Sequence, residues 1–197
     1  GKRHADHRNG MTAPPRLTLP NILDIARRPR WAFGMLGTKN REFGNIQGCA
    51  TGVEDMTDLM KWTAGSFDTK LGWDDIKFFR DLWDGPLIIK GIMEAEDAQQ
   101  CIHLGADALV VSNHGGRQLD GARSSISVLP EIVDAVGDRI EVWMDGGVRS
   151  GQDLIRARAL GARGVMVGRP MVYGLGAMGE AGVGVVLHLL QGCRVIE

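Results

Sequence analysis

Short apolar runs alternate with amphipathic segments through the second half of the chain. Each run has the length and the β-branched content of a buried strand, and it stops at glycine or polar residues. The runs predict four strands, at residues 87–89, 108–111, 140–144 and 164–167. The amphipathic segments predict helices at residues 94–104, 127–136 and 150–160, and a glycine-rich helical region follows the last strand. Strands that alternate with helices in this way indicate parallel strands joined by helical crossovers.

The pattern before residue 84 is less regular. Residues 73–82 carry apolar side chains at three-residue steps and predict an amphipathic helix, and residues 54–61 predict a shorter one. Residues 17–36 combine a partly helical apolar pattern with a basic cluster of Arg27, Arg28, Arg30 and Trp31. This segment is either a helix packed on the body of the protein with a solvated basic end, or a patch that lies on a membrane surface, where Trp beside arginine suits the headgroup region.

A short internal repeat favours a barrel over a doubly wound sheet. Leu104-Gly105-Ala106 ends one predicted helix before a strand, and Leu160-Gly161-Ala162 does the same two β/α units later. Asp97 and Asp153 lie at the same offset from these two sites. A repeat of two β/α units fits a barrel built by duplication.

Composition and charge are those of one ordinary soluble domain. The 197 residues are 44% apolar and 24% charged, which supports a sizeable core. A net charge of -1 and the lack of a basic block among aromatic residues argue against a nucleic-acid partner. The three cysteines are odd in number and far apart, so we expect neither a disulfide framework nor a metal site. Since no apolar run is long enough to span a bilayer and the chain opens with polar residues, we expect a cytoplasmic protein.

The strand at residues 108–111 ends in the residues best suited to chemistry, Ser112-Asn113-His114-Gly115-Gly116-Arg117. His114 can transfer a proton near neutral pH, and Arg117 offers a planar guanidinium to a carboxylate or a phosphate. The two glycines remove side-chain bulk, so a ligand can approach closely. The alternative is a histidine that is merely hydrogen-bonded in a surface loop.

The residues after all four strands are expected to converge, because parallel strands deliver their carboxyl ends to one face. The last two strands are followed by Asp145-Gly146-Gly147-Val148-Arg149 and by Gly168-Arg169-Pro170. Barrels place phosphate sites after their last strands, built from backbone N–H groups, a helix N-terminus and arginine. Lys90, at the end of the first strand, either pairs with a surface carboxylate or stabilises negative charge on a bound cofactor ring.

These motifs closely resemble those of the FMN-dependent 2-hydroxy acid dehydrogenases and oxidases, the group of flavin-type L-lactate dehydrogenase, mandelate dehydrogenase and glycolate oxidase. The resemblance rests on Lys90-Gly91, on the run from Ser112 to Asp120, and on the loops at Asp145 and Gly168. It implies an α/β protein, a (β/α)8 TIM barrel with FMN at the carboxyl ends of the strands. Residues 84–197 then supply the C-terminal half of the barrel, about four β/α units, and residues 1–83 supply the loop after strand 4 with its flanking helices.

The resemblance also implies a role for each matching residue. His114 is the base that takes the hydroxyl proton of an (S)-2-hydroxy acid, such as lactate, mandelate or glycolate, while hydride passes to flavin N5 and a 2-oxo acid forms. Arg117 holds the substrate carboxylate together with Arg3. The implied FMN contacts are Lys90 and Ser112 at the ring, Asp145 at the ribityl chain, Gly147, Arg149, Gly168 and Arg169 at the phosphate, and Gly146 as a further cofactor-binding residue.

Partners follow from the same resemblance. It implies an electron acceptor, which is a quinone, a cytochrome or oxygen, and a homo-oligomer, a tetramer in the family. The segment at residues 17–39 occupies the loop through which the membrane-bound branch docks, so peripheral contact with the inner face of the cell membrane is also implied.

Four parallel strands cannot close a barrel, because they leave two open edges and an uncovered inner face. We therefore expect the chain to be a fragment or a split-chain partner of a longer enzyme, and to be inactive by itself. Two alternatives stay open. One is another FMN barrel enzyme, which the His-Gly-Gly-Arg run argues against. The other is a non-catalytic phosphate-binding half-barrel that assembles with a second chain.

Overall fold

The computed structural model describes residues 8, 10, 18–38, 52–53 and 56–192. These residues belong to two compact units, Gly1–Leu71 and Gly72–Glu197. The first unit contains helices α1 at Leu19–Ala26, α2 at Pro29–Gly37 and α3 at Met56–Gly65. The stretch predicted as partly helical is thus two helices. Pro29 separates them, because a proline has no amide hydrogen to continue one helix but suits the first position of the next.

The second unit alternates strands and helices in the predicted order. It opens with α4 at Trp73–Leu82, whose first turn is closed by a hydrogen bond of 2.7 Å from the Gly72 amide to Asp75 Oδ2. The elements that follow are β1 at Ile88–Ile92, α5 at Ala95–His103, β2 at Ala108–Val111, α6 at Ser125–Val136, β3 at Glu141–Asp145, α7 at Gly151–Ala159, β4 at Gly164–Met166, α8 at Arg169–Met178 and α9 at Glu180–Gln191.

The four strands form one parallel sheet in the order β1-β2-β3-β4. Each strand lies beside the next strand along the chain, and a helix makes each crossover. A doubly wound sheet would reverse its strand order at one point, whereas a barrel adds its strands in sequence. The sheet therefore has the arrangement of four consecutive units of a (β/α)8 barrel.

The first strand differs from the prediction. It spans Ile88–Ile92 rather than residues 87–89, so Lys90 lies within the strand and pairs with Val110. The register shifts between Lys90 and Ile92, where Gly91 forms a bulge. The apolar pattern stops at Lys90, but the backbone ladder continues past it. The helix predicted at residues 54–61 lies at Met56–Gly65 and so ends four residues later, and the other boundaries, such as the start of α6 at Ser125, differ from the prediction by one or two residues.

Helices cover one face of the sheet and form the core with it. Leu109 and Val111 of β2 are fully buried and pack with Leu129 and Ile132 of α6. Val142 and Met144, on β3, belong to the same cluster, whose members come from several strands and helices. Burying one such side chain contributes about 1.5–3 kcal/mol, so this layer holds the strand ends in fixed positions relative to one another.

The opposite face carries the site residues at one end and apolar side chains at the other. Register and alternation put Lys90, Val110, Trp143 and Asp145 on this inner face. Among its apolar members, Ile88 is 57% exposed. Val110, near the middle of the same face, is buried.

Candidate functional site

Side chains from three strands meet at the carboxyl end of the inner face. Lys90 on β1 lies 2.7 Å from Asp145 Oδ2 on β3, and its Nζ also donates a hydrogen bond of 2.9 Å to Ser112 Oγ just after β2. Ser112 is buried, while the side chains of Lys90 and Asp145 are 37% and 20% exposed. The predicted convergence of Lys90, Ser112 and Asp145 is therefore present in the fold, because register aligns the ends of β1, β2 and β3.

Asp145 keeps one oxygen unused. Its Oδ2 contacts Lys90, but its Oδ1 is buried and has no hydrogen-bond partner among the described residues. A buried carboxylate oxygen without a partner is costly, and it can accept a hydrogen bond from a bound hydroxyl group. Asp145 is thus prepared to receive a ligand with a donor.

His114 lies on a tight turn directly beyond Ser112. Its φ of 56° is in the left-handed region, which a side chain other than glycine seldom adopts. The turn is fixed by hydrogen bonds: the His114 amide donates to Ser112 Oγ at 3.1 Å, and the Gly116 amide donates to Asn113 Oδ1 at 3.0 Å. These hydrogen bonds stabilise the strained backbone of His114, and the exposed His114 ring lies at the end of the sheet.

The same Ser112 hydroxyl therefore joins two parts of the site. It accepts from the ammonium group of Lys90 and from the backbone of His114. Lys90 and the start of the histidine turn thus share one hydrogen-bond acceptor.

Arg169 connects the last strand to this turn. Its Nη2 donates a hydrogen bond of 3.2 Å to the carbonyl oxygen of Gly115. A Cβ at Gly115 would lie 2.9 Å from the same nitrogen, so glycine leaves room for the guanidinium. This contact brings the end of β4 to the end of β2, as the sequence predicts.

The loop after β3 leads into a capping box at the start of α7. Asp153 Oδ2 accepts from the amides of Arg149 and Ser150, each at 3.0 Å, and Ser150 Oγ accepts from the Asp153 amide. These hydrogen bonds, chiefly the one from the Arg149 amide, hold the pKa of Asp153 below its usual value. Three amides near the start of α7, those of Arg149, Ser150 and Asp153, thus already have side-chain hydrogen-bond partners.

For the remaining predicted site residues, the structure gives backbone conformation and exposure. Gly146 and Gly147 both have positive φ, and the space around a Cβ at Gly147 or Gly168 is open. Arg117 ends the histidine turn and is exposed. Arg3 lies outside the described residues.

Three contributors were not predicted from the sequence. Asn113 caps the histidine turn and donates from Nδ2 to the Arg123 carbonyl at 3.1 Å. Ser125, which is buried, accepts from the Asn113 amide at 3.3 Å. Gly91 packs under the His114 ring. An Asn before a glycine-rich turn is a recognisable capping signal, whereas nothing in the local pattern marks Ser125 or Gly91.

These residues fit FMN. The cofactor has an electron-accepting ring, a ribityl chain with hydroxyl groups and a phosphate. The unused Asp145 Oδ1 is an acceptor for a hydroxyl group, the open space beside Gly147 and Gly168 admits a ligand, and Lys90 supplies a positive charge. In the described ranges, no group of three or more His, Cys, Asp or Glu side chains could hold a metal ion.

Comparison with known proteins supports the same assignment. The sequence model of a family described as FMN-dependent dehydrogenase matches residues 1–192. An L-lactate dehydrogenase of Caulobacter vibrioides (strain NA1000 / CB15N) is 47% identical over 193 residues, which are 97% of this chain and 50% of the relative. An L-lactate dehydrogenase of Xanthomonas campestris pv. campestris (strain 8004) is 44% identical over 196 residues, again 97% of this chain and 50% of the relative.

Solved structures agree. The monotopic membrane protein (S)-mandelate dehydrogenase is 38% identical with a TM-score of 0.88, and the match covers 98% of this chain and 50% of that one. A mandelate oxidase is 43% identical with a TM-score of 0.64 and covers 70% of this chain and 40% of that one. The chain spans about half the length of the relatives it matches.

The predicted family, the partial (β/α)8 architecture and FMN as the family's cofactor are confirmed by these matches. The predicted roles of single residues are not tested by them. By its motifs, its sheet and these likenesses, the chain belongs to the family of FMN-dependent dehydrogenases.

Proposed function

We propose that this chain forms the part of an FMN-dependent enzyme that carries the base and the cofactor-binding strand ends, and that the enzyme oxidises an (S)-2-hydroxy acid to a 2-oxo acid. The observation that carries the proposal is the hydrogen-bonded group of Lys90, Ser112 and Asp145, to which the His114 turn is attached. A cation, a hydroxyl-binding carboxylate and a group that can take a proton lie together at the end of one sheet.

The chemistry divides between cofactor and protein. When bound, FMN supplies the acceptor for the hydride that leaves the substrate Cα. His114 takes the hydroxyl proton, so that the hydroxyl-bearing carbon becomes a carbonyl. Arg117 holds the substrate carboxylate, with Arg3 as its proposed partner.

The other residues bind the cofactor. Lys90 presents its charge where the ring gains electron density, and the buried Ser112 keeps that ammonium group in place. Asp145 accepts from the ribityl chain, with Gly146 beside it. Gly147, Arg149, Gly168 and Arg169 would hold the phosphate. Arg169 already contacts the histidine turn through Gly115.

The experiment is anaerobic reduction of the FMN-loaded protein, with this chain complemented by the N-terminal half of a related L-lactate dehydrogenase because the chain by itself is expected to be inactive. We expect flavin absorbance to bleach on addition of L-lactate, glycolate or (S)-mandelate, and the fastest of the three to identify the substrate. His114→Gln is expected to retain flavin and to bleach about 10²–10⁴-fold more slowly, the usual contribution of a general base. His103→Gln, a change at an exposed helical histidine, is the matched control.

The outcomes separate the alternatives. Flavin that binds but is not bleached by any 2-hydroxy acid would support a non-catalytic phosphate-binding half-barrel or another FMN barrel enzyme. After bleaching, the addition of a quinone, cytochrome c or oxygen in separate samples identifies the electron acceptor from the rate at which absorbance returns.

We also propose that α1 and α2 make a peripheral contact with anionic membranes. Leu19, Ile22 and Leu23 form one face of α1 and are 49–70% exposed, and Phe33 on α2 is 74% exposed. Arg27 and Arg30 lie between and within the two helices. A relative is named as a monotopic membrane protein. No helix in the described ranges is long and apolar enough to cross a bilayer.

Vesicle sedimentation tests this contact. Binding is expected to vesicles that contain phosphatidylserine, to weaken as salt screens the arginines, and to fall when Leu19 and Phe33 are both changed to Ser. Leu175→Ser, an equally apolar exposed position on α8, is the control. Equal sedimentation of all these proteins without lipid dependence would remove the proposal.

A further inference from the structure

The His114 ring lies against a bare backbone position on the neighbouring strand. A Cβ built on Gly91 would be 2.8 Å from His114 Cε1, 3.7 Å from Nδ1 and 3.8 Å from Nε2. A carbon atom at 2.8 Å does not fit, so a side chain at position 91 would displace the imidazole from where it stands. Among the described residues, neither ring nitrogen has a hydrogen-bond partner that would hold the ring instead.

The backbone at Gly91 is shaped for this contact. Lys90 pairs with Val110 and Ile92 pairs with Val111, so Gly91 is the extra residue of a bulge. Its φ of 107° is open to glycine and strained for other residues. The bulge allows Lys90 to keep its position on the inner face while Ile92 points into the core.

We infer that Gly91 is a positioning residue for His114: its Cα forms the seat that sets where the imidazole stands over the end of the sheet. The hydrogen bonds of Ser112 and Asn113 fix the backbone of the turn, but not the ring. Gly91 limits the ring from below. The inference rests on the proposed role of His114 as the base, because the position of the imidazole matters only if His114 takes part in the reaction.

A double-mutant cycle on stability tests the seat without any need for activity. Gly91→Ala introduces both backbone strain and a collision with the ring. His114→Ala removes the ring and leaves only the strain. We therefore expect Gly91→Ala to lower the Tm strongly in the parent protein, and clearly less in the His114→Ala background.

Gly121→Ala is the matched control. Gly121 also has a positive φ, of 77°, but a Cβ there meets no atom within 4 Å. Its effect on the Tm should be the same with and without His114. If Gly91→Ala does not fold, recovery of folding in the double variant supports the seat. An equal loss of Tm, or an equal failure to fold, in both backgrounds overturns it.

Activity of the FMN-loaded protein, with this chain complemented by the N-terminal half of a related L-lactate dehydrogenase, tests the positioning role. A displacement of about 1 Å at a reacting group can cost on the order of 10²-fold in rate, so Gly91→Ala should reduce kcat by about that factor while flavin content and KM change little. An unchanged kcat in Gly91→Ala, with His114→Ala inactive, overturns the positioning role. If His114→Ala keeps its full rate, the proposed function fails, and the Tm cycle alone decides whether the ring is seated on Gly91.

Discussion

The ion pair of Lys90 and Asp145 is the most constrained pair of charges among the site residues described. The Asp145 side chain is 20% exposed and that of Lys90 37%, they approach to 2.7 Å, and Ser112 adds a third contact. Removing one partner from such a pair leaves the other charge uncompensated, which costs more than the pair itself contributes. The roles of Lys90 and Asp145 are therefore tested best by substitutions that keep the shape of the side chain.

Asp145→Asn is such a change. It keeps the side-chain volume but replaces a charged acceptor with a neutral group, and a hydrogen bond to a charged group contributes about 1.5–3 kcal/mol. We expect the Kd for FMN to rise by about 10- to 100-fold, because about 1.4 kcal/mol corresponds to a factor of ten. Fluorescence titration of the apoprotein with FMN measures it. Glu131→Gln, an exposed carboxylate on α6, is the control, and an unchanged Kd in Asp145→Asn would contradict the assignment.

Asp153 gives a pH-dependent prediction. Hydrogen bonds from the Arg149 amide and then from Ser150 hold the pKa of Asp153 below its ordinary value. A carboxyl group whose pKa is lower in the folded protein stabilises the fold above its unfolded pKa, and that contribution is lost as the pH falls through the folded pKa. The difference in unfolding free energy between the parent and Asp153→Asn should therefore be largest near pH 7 and shrink below about pH 4. Urea denaturation at several pH values measures it, and a difference that stays constant down to pH 2.5 would refute it.

At the scale of elements, the internal repeat is visible as a repeated helix ending. After α5, the Gly105 amide donates to the Ile102 carbonyl and the Ala106 amide donates to the Cys101 carbonyl, each at 3.0 Å. After α7, the Gly161 and Ala162 amides make the same two bonds, to Arg158 and Ala157. Both glycines have positive φ, as such helix ends require. The repeated tripeptide thus encodes one local structure twice.

The two glycines differ in what surrounds them, which yields a matched comparison. A Cβ at Gly161 would lie 2.6 Å from Val133 Cγ1, whereas a Cβ at Gly105 would meet only Arg80 Cδ at an ordinary 3.5 Å. Both Ala variants carry left-handed strain, but Gly161→Ala also overpacks the contact with α6. We expect Gly161→Ala to destabilise the fold by about 1–3 kcal/mol more than Gly105→Ala. Chemical denaturation measures both, and the excess should disappear when Val133→Ala is added. Equal losses would contradict the packing explanation.

At the scale of the whole chain, the sheet has two edges and an open face. Among the described residues, β1 and β4 each pair with a single strand, and Ile88 and Met166 on the inner face are 57% and 45% exposed. Relatives are about twice as long as this chain. The inactivity of the chain by itself and the homo-oligomer that the family resemblance implies stay predictions.

Hydrogen exchange on the 197-residue polypeptide tests the open sheet. Amides of β2 and β3, which have a strand on both sides, should exchange slowly, and those of β1 and β4 should exchange much faster. Sedimentation must show that the sample is monomeric. Strong protection in all four strands of a monomer would contradict this view of the sheet.

Much of the fold could be predicted because it depends on short stretches of chain. Periodicity distinguishes the strand at Ala108–Val111 from the helix at Trp73–Leu82, and both have the predicted bounds. Ser150 marks the start of α7 because it forms a capping box with Asp153, three residues further along the chain. Local motifs likewise indicate His114, Lys90 and Arg169 as candidate functional residues, and they indicate the family.

Only the tertiary structure decided how those residues meet. The bulge at Gly91 carries the ladder of β1 past the point where its apolar run ends, so Ile92 packs in the core while Lys90 stays on the inner face. The ring of His114 against Gly91, the unused Oδ1 of Asp145 and the bond from Arg169 to Gly115 all join segments that are far apart along the chain. Periodicity and caps record what a residue does with its near neighbours, whereas these contacts depend on the register between strands, which is set when the helices and the sheet pack together.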